Sequence, residues 1–145
     1  MNFDPRKSPG FLVGRVAHLF RLKTSVYIKE RGVQLSPEEC SVLWMVAGSP
    51  NPQRIGALAE LLLRDATTVK RQLDSLIKHG FVERATDPAD RRGVIISISE
   101  KGRDLLAKTR TDSEALRDQA LAGISPQDAE LLVSMLTKML ANLSA

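Results

Sequence analysis

The sequence is poor in the residues that most chemistry requires. Its 145 residues hold one cysteine, Cys40, and two histidines, His18 and His79. One thiol cannot close an intramolecular disulfide, and three such side chains scattered along the chain form no metal-ligand cluster. There is no His-Glu-x-x-His, no glycine-rich phosphate loop and no Gly-x-Ser-x-Gly elbow. Nucleophilic, metal-assisted and general acid-base catalysis therefore lack a constellation to run on, and no enzyme, cofactor or metal is expected. Long apolar runs are missing too: no stretch of 18 apolar residues is available to span a bilayer. The opening residues Met1 to Ser8 have neither an apolar core nor a small-residue cleavage site. The expected compartment is the cytoplasm.

What is present is ordinary in amount: 43% hydrophobic and 26% charged residues, with a formal charge of +4. A chain of this length fits one domain and buries about two-thirds of the surface its unfolded form exposes. The basic excess permits an anionic partner, but its placement is uninformative. Residues 1–33 carry seven lysines and arginines against two acids, whereas residues 53–92 carry eight against six. Charge alone does not identify a nucleic-acid-binding protein here.

Pattern says more. Ser8-Pro9 reads as a cap followed by proline at the first helical position, and Phe11, Leu12, Val16, Leu19, Phe20, Val26 and Tyr27 recur on a helical repeat to about Arg31. Ser36-Pro37-Glu38-Glu39 is a capping box that opens a second helix, ending near Gly48 ahead of Ser49-Pro50-Asn51-Pro52. A short apolar-striped helix, Ile55 to Leu62, follows. Ser99 can cap a long helix from about Glu100, and Ser125-Pro126 starts the last one. That helix has a wide apolar face: Leu131, Leu132, Met135, Leu136, Met139, Leu140 and Leu143.

The chain is organised around residues 61–102. From Ala66 to Lys78, Val69, Leu73, Leu76 and Ile77 lie on one helical stripe, while Thr67, Thr68, Arg71 and Ser75 point away from it. Asp74 and Lys78 stand beside that polar face and Lys70 on its flank. Asp65 suits the N-cap and Gly80 the left-handed residue that closes the helix. Phe81 to Arg84 and Gly93 to Ser99 have the β-branched content of strands, with an exposed turn expected over residues 87–93. Two helices at this spacing followed by a charged hairpin predict a winged helix-turn-helix, mainly α with a small β wing, whose second helix enters a DNA major groove. Arg71 and Lys70 are the candidates for base edges, since arginine can donate two hydrogen bonds to guanine. Thr67, Thr68 and Ser75 reach only phosphates or a nearby base. A winged helix used solely as a protein-interaction module is the competing reading, and it needs no cations on this face.

The ordered run Leu58-Ala59-Glu60, Thr68-Val69, Leu76, Gly80-Phe81-Val82-Glu83-Arg84, Asp87-Pro88-Ala89-Asp90-Arg91-Arg92 and Ile98-Ser99-Glu100-Lys101-Gly102 resembles the MarR family of bacterial transcription regulators. Its Asp-x-Arg wing signature falls on Asp90 and Arg92, and Ile-Ser-x-x-Gly stands where that family usually has Leu-Thr-x-x-Gly. The resemblance is strongest over residues 53 to 103. It implies one domain over residues 1–145, with a DNA-binding lobe over about 34–100 and dimerisation helices over about 9–32 and 101–143. It also implies a homodimer on a pseudo-palindromic duplex and a repressor released by a small molecule. Arg92 is then assigned to a minor groove, Arg91 to a phosphate, and Asp90 to orienting the wing. His18 and Trp44 are expected to border an interlobe pocket where some relatives bind small aromatic acids, or else to be core residues satisfied by a neighbour. Cys40 lies in the second helix, away from the family's oxidant-sensing positions, and reads as an inert buried thiol.

Overall fold

Serine and proline set where the helices begin. In a computed structural model that describes residues 4–145, a short 3-10 turn (Pro5–Lys7) leads into α1 (Pro9–Glu30) and then α2 (Pro37–Gly48). Ser8 Oγ accepts the Phe11 amide at 3.3 Å. At α2 the capping box is complete: Ser36 Oγ accepts the Glu39 amide, and the Glu39 carboxylate accepts the Ser36 amide. A two-residue strand β1 (Gln53–Arg54) precedes α3 (Ile55–Leu62) and α4 (Ala66–Lys78). Strands β2 (Val82–Asp87) and β3 (Asp90–Ile98) form the hairpin, followed by α5 (Glu100–Ala120) and α6 (Pro126–Ser144). Ser125 Oγ caps α6 by accepting the Asp128 amide at 3.1 Å.

The sheet is antiparallel with strand order β1-β3-β2, so β3 is its central strand and the architecture is mainly α with a small β wing. Two features differ from the sequence expectation. Strand β1 was not anticipated; two residues after a proline show no alternation, yet Gln53 pairs with Ile96 and Arg54 with Ile95. The turn is also far shorter than residues 87–93. Pairing continues to Asp87 and Asp90, leaving Pro88-Ala89 at the tip, with an irregularity at Thr86/Asp87. The polar residues that read as loop instead make side-chain hydrogen bonds that close the hairpin.

The core lies where α2, α3, α4 and the sheet meet, with Leu43, Leu58, Leu73, Leu76, Ile96, Val42 and Val69 fully buried. Gly102 lets α5 begin against β2, because a Cβ there would overlap the Phe81 carbonyl. Ser99 Oγ links the same junction, donating to the Gly80 carbonyl at 2.6 Å and accepting the Gly102 amide at 3.0 Å.

The chain divides into two compact units, one through Arg110 and one from Thr111 to Ala145, so the division falls inside α5. The first unit holds α1 to α4, the sheet and the start of α5. In α1 only Thr24, Tyr27 and Ile28 are buried, while Phe11, Leu12, Val16, Leu19, Phe20 and Val26 are exposed. In the second unit, α6 has no buried residue at all. Among the described residues no helix is long and apolar enough to cross a membrane.

Candidate nucleic-acid interface

The turn between α3 and α4 is Leu63-Arg64-Asp65. Leu63 adopts the left-handed conformation, φ 51° and ψ 45°, at the end of α3. That conformation is costly for a residue with a Cβ. Next to it, the Arg64 guanidinium donates to the Glu38 carbonyl and Gln72 Oε1, both at 3.1 Å, and to Ser41 Oγ at 2.7 Å. One side chain thereby fixes the turn to α2 and α4. Sequence reasoning missed Arg64, because a turn arginine carries no local sign that its partners lie 8 to 26 residues away.

Asp65 then caps α4. Its carboxylate accepts the Thr68 amide at 2.8 Å and the Thr68 hydroxyl at 2.6 Å. These two bonds, the hydroxyl's first, hold the Asp65 carboxyl below the usual carboxylate range. At the other end, Gly80 takes φ +77° and releases the chain into β2. Between these ends Val69, Leu73 and Leu76 are buried, and Thr67, Lys70, Arg71, Asp74 and Lys78 are exposed. Thr68 and Ser75 depart from the expected fully outward direction. Both are half-buried: Thr68 spends its hydroxyl on Asp65, and Ser75 lines a shallow groove beside Glu38, Glu39, Arg71 and Gln72. Of the candidate DNA-contacting side chains on α4, Thr67, Lys70 and Arg71 are therefore the exposed ones.

At the wing, Arg91 and Arg92 are exposed. Asp90 Oδ1 accepts the Arg92 amide at 3.1 Å and its Nε at 3.3 Å. Asp87 Oδ1 accepts the Ala89 amide at 2.9 Å, which tightens the turn. A third arginine joins them. Arg54 of β1 reaches Asp87 through Nε and Nη2, and its Nη2 stands 3.7 Å from Asp90. Sequence reasoning also missed Arg54; the available signal was Asp87, an acid at the wing for which the sequence offered no partner.

The remaining sequence candidates are less connected. His18 is exposed, and the depression it lines is made only of α1 residues between Gly10 and Leu19. Trp44 is half-buried on α2 and does not line that depression. A different cleft of about 580 Å³ has Phe81 in its wall and Arg31, His79, Lys101, Lys108 and Asp104 around it. There Lys101 Nζ donates to the His79 carbonyl at 2.7 Å and lies 5.0 Å from the centre of the Phe81 ring. Cys40 is buried, and burial, with smaller effects from Glu39 and Glu38, pushes its thiol up to about 12. Such a thiol holds almost no nucleophilic thiolate at neutral pH. Among the described residues no group of three or more His, Cys, Asp or Glu is placed to hold a metal ion.

A short helix, a tight turn, a second helix with one buried and one cationic face, and a hairpin with two exposed arginines beside its tip define a winged helix-turn-helix protein. The MarR family model matches residues 35–94. The chain is 30% identical over 110 residues to the HTH-type transcriptional regulator YkoM of Bacillus subtilis (strain 168), covering 76% of this chain and 70% of that one. It is 30% identical over 125 residues to the HTH-type transcriptional regulator Mb0904 of Mycobacterium bovis, covering 85% of each. A solved MarR-family regulator from Silicibacter pomeroyi superposes with a TM-score of 0.78 at 26% identity, over 92% of this chain and 88% of that one. The chain belongs to the MarR family of transcription regulators.

Proposed function

We propose that this protein binds duplex DNA as a homodimer at a pseudo-palindromic operator and represses transcription from it. The observation that carries the reading is the division of α4: Val69, Leu73 and Leu76 anchor one face in the core, which leaves Thr67, Lys70 and Arg71 held outward on a rigid support. A helix so mounted, beside a wing bearing Arg91 and Arg92, meets a major groove and its neighbouring backbone or minor groove together. The unburied apolar faces of α1 and α6 support the dimer, since exposed apolar surface of this extent marks an interaction site. A two-fold dimer places two recognition helices about 34 Å apart, one per half-site.

The roles separate experimentally. A duplex selected by the wild-type protein from a randomised pool supplies the operator. Arg71→Ala is expected to weaken binding about 10- to 100-fold and to relax base preference at one position per half-site. Arg91→Ala is expected to weaken binding to all duplexes alike and to flatten the salt dependence by about one unit. Equal loss of specificity in both variants contradicts the assignment, and failure to select any sequence favours the protein-interaction module.

Release by a small aromatic carboxylate is the second element of the reading. The Phe81 cleft favours it more than the neighbourhood of His18 and Trp44 does, because it sets an aromatic wall beside several cations. Such an effector acts only through its difference in affinity for two arrangements of the protein, commonly about 5- to 150-fold. Salicylate titrated against operator affinity tests this. No change up to millimolar concentration removes ligand control from the proposal.

A further inference from the structure

The wing's tip is held by a group from outside the hairpin. Arg54 sits at the end of β1, where it pairs with Ile95 of β3. Its Nε and Nη2 both donate to Asp87 Oδ2, at 2.9 and 2.7 Å. The same Nη2 lies 3.7 Å from Asp90. Each carboxylate is also bonded to the turn's backbone, Asp87 to the Ala89 amide and Asp90 to the Arg92 amide. One guanidinium thus ties β1 to both ends of the two-residue tip. Asp87 is the more enclosed partner, its side chain 14% exposed against 45% for Arg54.

Gly93 makes the arrangement possible. A Cβ at that position would lie 2.5 to 3.0 Å from Nη2, Cζ and Nη1 of Arg54, so any other residue there displaces the guanidinium. The two acids also need an explanation on a surface that meets phosphates. Unpaired, they repel the partner that Arg91 and Arg92 attract.

We propose that Arg54 is the positioning residue of the wing: by bridging Asp87 and Asp90 it closes the hairpin tip and fixes the direction in which Arg91 and Arg92 leave it toward DNA. The proposal rests on the DNA-binding reading given above. It differs from a direct contact between Arg54 and a phosphate in the sign of one effect. Were Arg54 only a phosphate contact, Asp87→Asn would remove a repulsive charge and tighten binding. As a clasp partner, Asp87 must weaken binding when it is lost.

The test uses the full-length protein and the duplex that the wild type selects from a randomised pool. Arg54→Met and Asp87→Asn are each expected to weaken binding about tenfold, and the double variant about tenfold as well, because both remove one interaction. Arg54→Lys restores only part of the loss, since an ammonium cannot make the paired contact. Binding by Asp87→Asn that equals or exceeds the wild type overturns the proposal, as does a double variant about a hundredfold weaker. A second measurement needs no DNA. Amide hydrogen exchange at Ala89 and Arg92 is expected to quicken in Arg54→Met and Asp87→Asn, and unchanged exchange overturns the clasp whatever the binding result. If the wild type selects no duplex while exchange quickens as expected, the DNA-binding reading fails and the clasp's hold on the tip is upheld.

Discussion

Helices α4 and α6 are both amphipathic, but they stand in opposite relation to the rest of the chain. In α4, Val69, Leu73 and Leu76 are at most 1% exposed. In α6, Leu131, Met135 and Leu140 are 50–55% exposed, although its apolar face is the wider of the two. Apolar content therefore does not determine burial within one chain; a facing surface does. Helix α4 meets α2, α3 and the sheet, and closes its stripe against them. The stripe on α6 finds no such cover, and α1 leaves most of its own apolar residues in the same condition. The hydrophobic effect acts on both helices alike. Under the function proposed above, the region that reads DNA is complete within one chain, whereas the terminal helices are completed by a second copy.

The largest expected effect attacks the unburied side of this contrast. Leu132→Asp with Leu136→Asp places two carboxylates in the apolar face, where burial against a partner without compensating cations is prohibitive. Sedimentation equilibrium is expected to move from twice 16.0 kDa to 16.0 kDa, with operator affinity lower by about a hundredfold or more. A wild-type mass of 16.0 kDa at micromolar concentration breaks the comparison outright. The next effect attacks the buried side. Leu73→Ala opens the core and is expected to cost about 2–5 kcal/mol in denaturant unfolding, with the assembled mass unchanged. Leu61→Ala, at a position 59% exposed outside the terminal helices, is its control and should stay within about 0.5 kcal/mol.

Most of the architecture was legible because its signals are local. Ser8, Ser36, Asp65, Ser99 and Ser125 each accept a hydrogen bond from the amide three residues on, so the helix starts could be read from short windows. The polar face of α4 followed from helical period alone, and Thr67 and Arg71 on it, with Lys70 at its flank, are exposed. What escaped were interactions closed by the fold. Arg54 meets Asp87 across 33 positions, and Arg64 meets Glu38 across 26, distances at which no periodicity links residue types. Thr68 and Ser75 were placed on the correct turn of helix, but their half-burial depends on Asp65 and on the start of α2. The tip of the wing looked like loop because Asp87 and Asp90 are turn formers; side-chain bonds to Ala89, Arg92 and Arg54 extend the strands through them.

The smallest effect isolates the start of α4 from its buried stripe. Asp65 contributes through hydrogen bonds to Thr68 rather than through packing, and those bonds favour its charged form. Its folded pKa is therefore below the ordinary value of 3.8, so the stabilisation is present above 3.8 and is lost as pH falls through the lowered value. At pH 7 Asp65→Ala is expected to lower the melting midpoint by about 2–5 °C at fixed protein concentration. The gap from wild type should be steady well above pH 3.8 and narrow progressively as pH falls through that value. Asp65→Asn separates cap from charge. Asparagine accepts the Thr68 amide about as well, so its midpoint stays near the wild type at pH 7, while its own stability carries no titration from this position. If thermal melts of wild type and Asp65→Asn keep a constant separation from pH 7 to below 3.8, the carboxylate is not what the Thr68 bonds stabilise, and α4 is held by its buried stripe alone.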